Sequence, residues 1–497
     1  MRTGAPSVPE SLLPHYIDGG FRAPVASEWM PVYNPATGEA TARVAMDDSR
    51  ALEDAVAAAR RAFPDWAATP IMERARVMFR YRDLLEQAHE ELARSVTDEH
   101  GKVLDDAYAE VGRGIEVVEL AASAPSVMKG EVVANIAHGV DVEMVRVPLG
   151  VVAGLTPFNF PAMIPLWMFP IALVAGNTFV LKPSERTPRT ALRLAELLTA
   201  AGLPPGVLNV VHGGAGTASA ILAHPDVRAV SFVGSEPVAR HVYETAASRH
   251  KRVQALGGAK NFHVVMPDAV LDDAVRGLVS SGYGSAGERC LACSVVLAVG
   301  DVADPLVAAL QAAGDHLRVG PGTQAGTEMG PLIRREHRDR VIGFIESGER
   351  EGASLVRDGR RDRFAGEGFF LGPTLFDHVR ADMTIAREEI FGPVLSVIRV
   401  PDLGAAVALA NTSAFGNTAS IYTRSGRAAR YFRDHIEAGM VGVNVGVAAP
   451  VAIFPFAGWK TSFYGDLHAT GTDGYRFYTE LRVVTSRWPD DGTALVP

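Results

Sequence analysis

From residue 147 to residue 181 the chain carries no charged side chain. A stretch of that kind is either a membrane span, which needs about 20 consecutive apolar residues, or the interior of a large fold. Pro148, Pro157, Pro161, Pro165 and Pro170 interrupt it, with Gly150, Gly154, Asn159, Gly176 and Asn177 between them. Proline removes a backbone donor and clashes with the preceding helical turn, so a single span is excluded. A buried strand (GVVAGLTP), a loop, a buried helix (PAMIPLWMFPIALVAG) and a second strand (NTFVLKPS) account for the segment.

The same alternation continues downstream. TPRTALRLAELLTAAG reads as a helix, entered at Thr187-Pro188 and left at Gly202. VLNVVHG is a strand, GTASAILAHPDV a helix, RAVSFVGS a strand and EPVARHVYETAASRH a helix, with RVQALGG and NFHVV supplying further strand. Strands alternating with helices imply parallel pairing in a doubly wound α/β sheet, with ligands beyond the carboxyl ends of the strands. A second α/β portion runs from about 261 to 445. Before residue 130 the pattern reads helical: an alanine-rich run after Asp48-Ser49, a helix capped at Thr69-Pro70, and a third over 104–122. In that second helix Met72, Ala75, Met78, Leu85, Ala88 and Leu92 mark the apolar face. Residues 131–147 turn strand-like and polar, and YRFYTELRVVTSRW near the end alternates strongly. The length of 497 residues agrees with about three structural units.

Composition excludes several function classes. Lys+Arg 48 against Asp+Glu 57 gives a formal charge of −9, a poor basis for holding nucleic acid, which needs a dense basic surface. Arg360-Arg361-Asp362-Arg363 is short and interleaved with acid, as solvated loop charge is. Cys290 and Cys293 are the chain's 2 cysteines, too few for a disulfide framework or a four-cysteine zinc site. The N-terminal residues lack the apolar core of a secretory signal, and a reducing cytoplasm fits such sparse cysteine. No Walker A loop, H-E-x-x-H or G-x-S-x-G occurs, no G-x-G-x-x-G follows the first strand, and the histidines show no metal-ligand spacing.

GYGSAGERC, ending at Cys290, is the segment with chemical promise. Small residues let backbone approach a ligand closely, and Arg289 beside Cys290 favours a thiolate. Taken alone, a free cysteine is more often a small core residue than a nucleophile.

The surrounding segments change that balance. TPFNFP (156–161), LKPSERTP (181–188), SFVGS (231–235), GERC (287–290), EEIFGPV (388–394) and PFAGWKTS (455–462) occur in this order. Together they resemble the aldehyde dehydrogenase superfamily over about residues 16–488. VGRGIE (111–116), SAGERC (285–290), ALGGAKN (255–261) and SFYGDLHATGTDG (462–474) resemble its CoA-acylating branch, which acts on methylmalonate and malonate semialdehyde.

The resemblance implies an aldehyde dehydrogenase-like fold. A Rossmann-type parallel-sheet domain (1–130 and 148–256) and an α/β catalytic domain (257–447) carry a β oligomerisation arm (131–147 and 468–490). It implies Cys290 as the nucleophile, passing through a thiohemiacetal to a thioester, and Asn159 as an oxyanion donor. Arg113 and Arg289 are implied to bind a substrate carboxylate. Thr156, Phe158, Lys182, Glu185, Gly234, Ser235, Glu389 and Phe391 are implied to hold NAD. Glu185 favours NAD over NADP, because a carboxylate repels a 2′-phosphate. Ala239 stands where many relatives have a glycine. No metal is implied. At Ala255, hydrolytic relatives carry the glutamate of E-L-G-G-K; this chain reads A-L-G-G-A-K. The expected activity is therefore NAD-dependent, CoA-acylating and decarboxylating oxidation of the semialdehyde, with CoA as co-substrate. A hydrolytic semialdehyde dehydrogenase releasing free acid is the alternative. The expected partners are these small molecules and further copies of the chain in a dimer or tetramer, without nucleic acid or membrane.

Overall fold

A computed structural model of the chain describes residues 11–488. The charge-free stretch is strand Val151–Leu155, helix Met163–Val174 and strand Thr178–Lys182, all buried except part of the connecting loop and Met163. The helix keeps Pro165 in its first turn and Pro170 in its interior, which an apolar environment on all sides tolerates. The two strands pair in parallel at the centre of an eight-stranded sheet. Its parallel strands run Arg252–Leu256, Val227–Val233, Val151–Leu155, Thr178–Lys182 and Leu208–Val210 in spatial order. Antiparallel additions close both edges: Phe463–Gly465 on one side, His15–Ile17 with Gly20–Arg22 on the other.

The chain leaves this sheet at Leu256 and starts a seven-stranded one at Asn261. There Thr374–Asp377, Val394–Val400, Cys293–Val299, Asn261–Val265, Thr418–Tyr422 and Met440–Val443 are parallel, with Ser354–Arg357 antiparallel at the edge. Each sheet has its own buried apolar core. A third, separate sheet joins Glu131–Ala137, Val140–Pro148 and Thr479–Arg487, all antiparallel. Positions 489 and 490 of the expected arm lie outside the described residues.

Three details depart from the sequence reading. The N-terminal part is not helical throughout: Trp29–Asn34 and Glu39–Ala45 form a hairpin joined by Ser11–Leu12, and it leans on the second unit through Phe369 N–H to Pro35 O at 2.9 Å. Glu39–Ala45 does alternate, but its alanine-rich composition carries little strand signal, and the reading passed over it. Thr69 does not cap the next helix; its hydroxyl donates back to Asp65 O at 2.9 Å. That helix also breaks at Ala88, between Ile71–Gln87 and His89–His100, and leaves Met72 exposed. Likewise, helix Arg189–Ala200 is capped by a distant residue: the Glu99 carboxylate accepts from Arg189 N–H, Thr190 N–H and the Thr190 hydroxyl.

Candidate active site

The carboxyl ends of the first sheet's strands face the second unit across a cavity of about 810 Å³. Thr156, Phe158 and Asn159 line it from the loop after Val151–Leu155, and Lys182 and Glu185 from the loop after Thr178–Lys182. Gly234 and Ser235 precede helix Glu236–Ala247, and Cys290, Glu389 and Phe391 complete the wall from the other side. Lys182 sits 3.5 Å from Glu185 and donates to Pro183 O and Gly213 O. Burial lowers the lysine pKa, and Glu185 partly offsets that. Burial opposes charge on Glu185 too, but Lys182 and its neighbours hold that carboxyl below its usual range. Ala239 does not line the cavity; its methyl group is packed in the core between helix and sheet.

The loop before Cys290 is held in an unusual backbone shape. Ser285, Ala286 and Gly287 all have positive φ, at 49°, 53° and 74°. The Cys290 carbonyl accepts two side-chain amides, from Asn261 and Asn417, each at 2.9 Å. Both arrive from strands or strand ends of the second sheet, so the cysteine is pinned from beneath. Asn159 reaches the same loop from the first unit, its Nδ2 donating to Glu288 O at 3.0 Å. Glu288 itself is fully buried, accepts Ile333 N–H at 3.2 Å and lies 3.5 Å from His337 and 3.6 Å from His100. Burial pushes its carboxyl up and the two imidazoles down, His337 to about 4. The sequence reading missed Glu288, Asn261 and Asn417; their signal lay inside GERC and ALGGAKN and in FGN (415–417).

Arg289 favours the thiolate, but only weakly. Its guanidinium pairs with Asp106 at 2.6 Å and donates to the Ser285 hydroxyl at 3.1 Å. Burial, and next the charge of Glu389, push the Cys290 thiol up to about 12; the arginine, paired with Asp106, is a minor counterweight. Glu389 is raised to about 7 by burial and accepts the Ala259 N–H at 2.8 Å. Arg113 lies outside the cavity wall, on helix Leu104–Ala122, paired with Glu116 at 3.0 Å with both side chains partly exposed. It is seven residues from Asp106, on the same helical face. Cys293 is buried at the start of its strand.

Ala255 lies one residue from the end of its strand. Along strand Arg252–Leu256 the side chains alternate, and Ala255 packs into the core on the face of Phe232 and Val253. Leu256, the last residue of the strand, belongs to the other apolar cluster of this unit. Neither of the two residues at this strand end carries a carboxylate.

A parallel-sheet nucleotide cleft facing a cysteine loop on a second α/β unit, with a β arm beside them, defines one class of oxidoreductase. The chain belongs to the aldehyde dehydrogenase family, whose sequence profile matches residues 21–484. Within it, malonate-semialdehyde dehydrogenase 3 of Geobacillus kaustophilus HTA426 is 57% identical over 477 residues, covering 96% of this chain and 99% of that protein. The crystal structure of methylmalonate-semialdehyde dehydrogenase from Oceanimonas doudoroffii is 50% identical and superposes with a TM-score of 0.95, over 97% of this chain and 99% of that one. A Sinorhizobium meliloti 1021 structure complexed with NAD matches with a TM-score of 0.95 at 48% identity, over 97% and 99% of the respective chains.

Proposed function

We propose that the chain is an NAD-dependent, CoA-acylating dehydrogenase of malonate or methylmalonate semialdehyde. The observation that carries the acylating part is Ala255: where hydrolytic relatives carry a glutamate, the strand end Ala255-Leu256 offers no carboxylate to activate water. In this reading the Cys290 sulfur adds to the aldehyde carbon, and Asn159 with the Cys290 N–H stabilises the developing oxyanion. One such donor is worth roughly 3–4 kcal/mol in rate. Loss of hydride from the thiohemiacetal, which NAD would accept, leaves a thioester on Cys290; the β-carboxylate departs as CO₂ with a proton taken up at the carbon it leaves, and the CoA thiol takes the acyl group as the Cys290 thiol departs. Arg113 and Arg289 hold the substrate carboxylate, which must displace Asp106 from Arg289.

The cleft suits a dinucleotide. Lys182 and Glu185 would hold the adenosine ribose, Gly234 and Ser235 the pyrophosphate at a helix N-terminus, and Glu389 and Phe391 the nicotinamide end. The buried Thr156 hydroxyl in the cavity wall lacks a hydrogen-bond partner among the described residues, as a group waiting for a ligand would. When bound, NAD supplies the hydride acceptor. The 131–147 hairpin and the C-terminal strand would form the oligomerisation arm, with 1–130 and 148–256 as the dinucleotide domain and 257–447 as the catalytic domain. We place the enzyme in the cytoplasm; its two cysteines are free, and among the described residues no helix is long and apolar enough to cross a membrane.

Hydrolytic release of free acid is the second reading, favoured by Glu389, a cavity-wall carboxyl whose pKa of about 7 suits a general base. Rapid mixing with NAD and malonate semialdehyde separates the two. An acylating enzyme gives at most one NADH per site in a burst, then a slow steady rate that CoA restores while acyl-CoA accumulates. A full steady rate without CoA, with free acid as product, overturns the acylating reading. Loss of that rate in Glu389→Gln, with the burst retained, would then identify the base.

A further inference from the structure

Below the active-site loop lies an ion pair that no step above uses. Lys102 Nζ is 2.6 Å from Glu110 Oε2, and both side chains are 0% exposed. Removing two charges from water is costly, and such a pair is seldom kept for stability alone. What the pair does with its remaining bonding capacity is specific. Lys102 Nζ also donates to the backbone carbonyl of Asn159 at 2.6 Å and lies 4.1 Å above the Phe160 ring. Glu110 turns its other oxygen to Ala162 N–H at 2.9 Å and Met163 N–H at 3.2 Å. The five-residue loop 159–163 is thus gripped at both ends, by a lysine before helix Leu104–Ala122 and a glutamate within it. The side chain projecting from the gripped end is Asn159, aimed at the Cys290 loop.

We propose that the Lys102–Glu110 pair is a positioning device that fixes the Asn159 amide for the oxyanion formed on Cys290; it rests on the reading of Asn159 as oxyanion donor. The phenyl ring of Phe160 and Pro161 cannot hold the loop polar-side down. Without Lys102, the Asn159 carbonyl is buried with its lysine bond gone, and the loop must move to satisfy it. A displacement of about 1 Å at a reacting group can cost about 100-fold in rate.

The test is a double-mutant cycle on the NADH burst, read by rapid mixing of the full-length enzyme with NAD and propanal, a substrate needing neither a carboxylate pocket nor CoA. Lys102→Met should slow the burst by roughly 30- to 100-fold, while the KM values for NAD and propanal stay within about threefold, since neither site touches the pair. Introduced into Asn159→Ala, the same change should cost less than about threefold more, because coupled residues are not additive. If Lys102→Met does not fold, Lys102→Met/Glu110→Gln carries the cycle: it leaves no unpaired buried charge, and the introduced amide oxygen still accepts from Ala162 N–H. A full-sized loss in the Asn159→Ala background, or no loss in the Asn159 background, overturns the proposal. An Asn159→Ala enzyme with an undiminished burst would instead remove the oxyanion reading itself, and the proposal with it.

Discussion

Cys290 sits where a thiol is least inclined to ionise. Its pKa of about 12 comes from burial and from the charge of Glu389, so in the free enzyme the thiolate is a small fraction at every ordinary pH. Alkylation by iodoacetamide, which consumes thiolate, should therefore climb from pH 6 to 9 without a plateau, less steeply while Glu389 ionises around pH 7 and about tenfold per unit above pH 8. Glu389→Gln removes a like charge; the sign is downward for the Cys290 pKa, and alkylation at pH 8 should quicken roughly two- to tenfold. A plateau below pH 8, or slower alkylation in the variant, would contradict this account. Cys290→Ala should abolish NADH formation and keep NAD binding, whereas Cys293→Ala should retain most activity. Arg113 provides a separate test of the substrate's charge. Arg113→Leu should raise KM for malonate semialdehyde about ten- to a hundredfold, as losing a charged hydrogen bond does, and change propanal little. Its partner Glu116 is partly exposed, and such pairs add little stability, so the melting temperature should barely move. Equal losses for both aldehydes would refute carboxylate recognition at this helix.

At the scale of elements, the loop 284–290 is shaped by its contact with 388–394 as much as by its own sequence. A Cβ on Gly287 would lie 2.2 Å from Gly392 O, and its φ of +74° disfavours any other residue. Gly287→Ala should cost about 1–3 kcal/mol of stability, the usual range for enforced strain, visible as a lower calorimetric melting temperature. Activity measured well below that temperature should also fall, because the backbone shift passes directly to Cys290. Full activity with an unchanged melting temperature would mean the loop is not under this constraint. The sequence reading could see GERC and EEIFGPV as motifs but not that they touch, since touching is set by how two sheets meet. The helix–strand alternation from 150 to 265 was legible because buried strands and helices differ in length and punctuation. The charge on Arg289 was legible, but its neutralisation by Asp106 was not. Asp106, Glu110 and Arg113 form a stripe at helical spacing on one helix, and only the packing of that helix against Met163–Val174 gives the stripe meaning. The missing carboxylate at Ala255 was legible in the motif, whereas the apolar core its methyl group joins was not, because that is set by the strand's neighbours.

For the whole molecule, the sheet of 131–148 and 479–487 is the part with the most exposed apolar surface for its size. Val132, Val133, Ile136, Leu481, Val483 and Trp488 are exposed on it, a concentration of large apolar groups that a monomer rarely presents to water. Val133→Asp combined with Val483→Asp should shift the enzyme to a smaller species in analytical ultracentrifugation while leaving NAD binding intact; an unchanged mass would show that assembly uses another surface. The same sheet bears on how the protein is made. Arg146 and Thr479 hydrogen-bond across 333 residues of chain, and the nine-residue strand Thr479–Arg487 leaves the ribosome only after both α/β units. Until then the Val140–Pro148 strand has one open edge, through the synthesis of both units. Open edges recruit other strands, and translation at about 5–20 residues per second keeps this one unpaired for tens of seconds. Premature termination anywhere in the second unit would release a chain whose first sheet lacks its Phe463–Gly465 edge strand and whose hairpin keeps an open rim. Such a product, with two unpaired strand edges, should aggregate more readily than one that stops before residue 140.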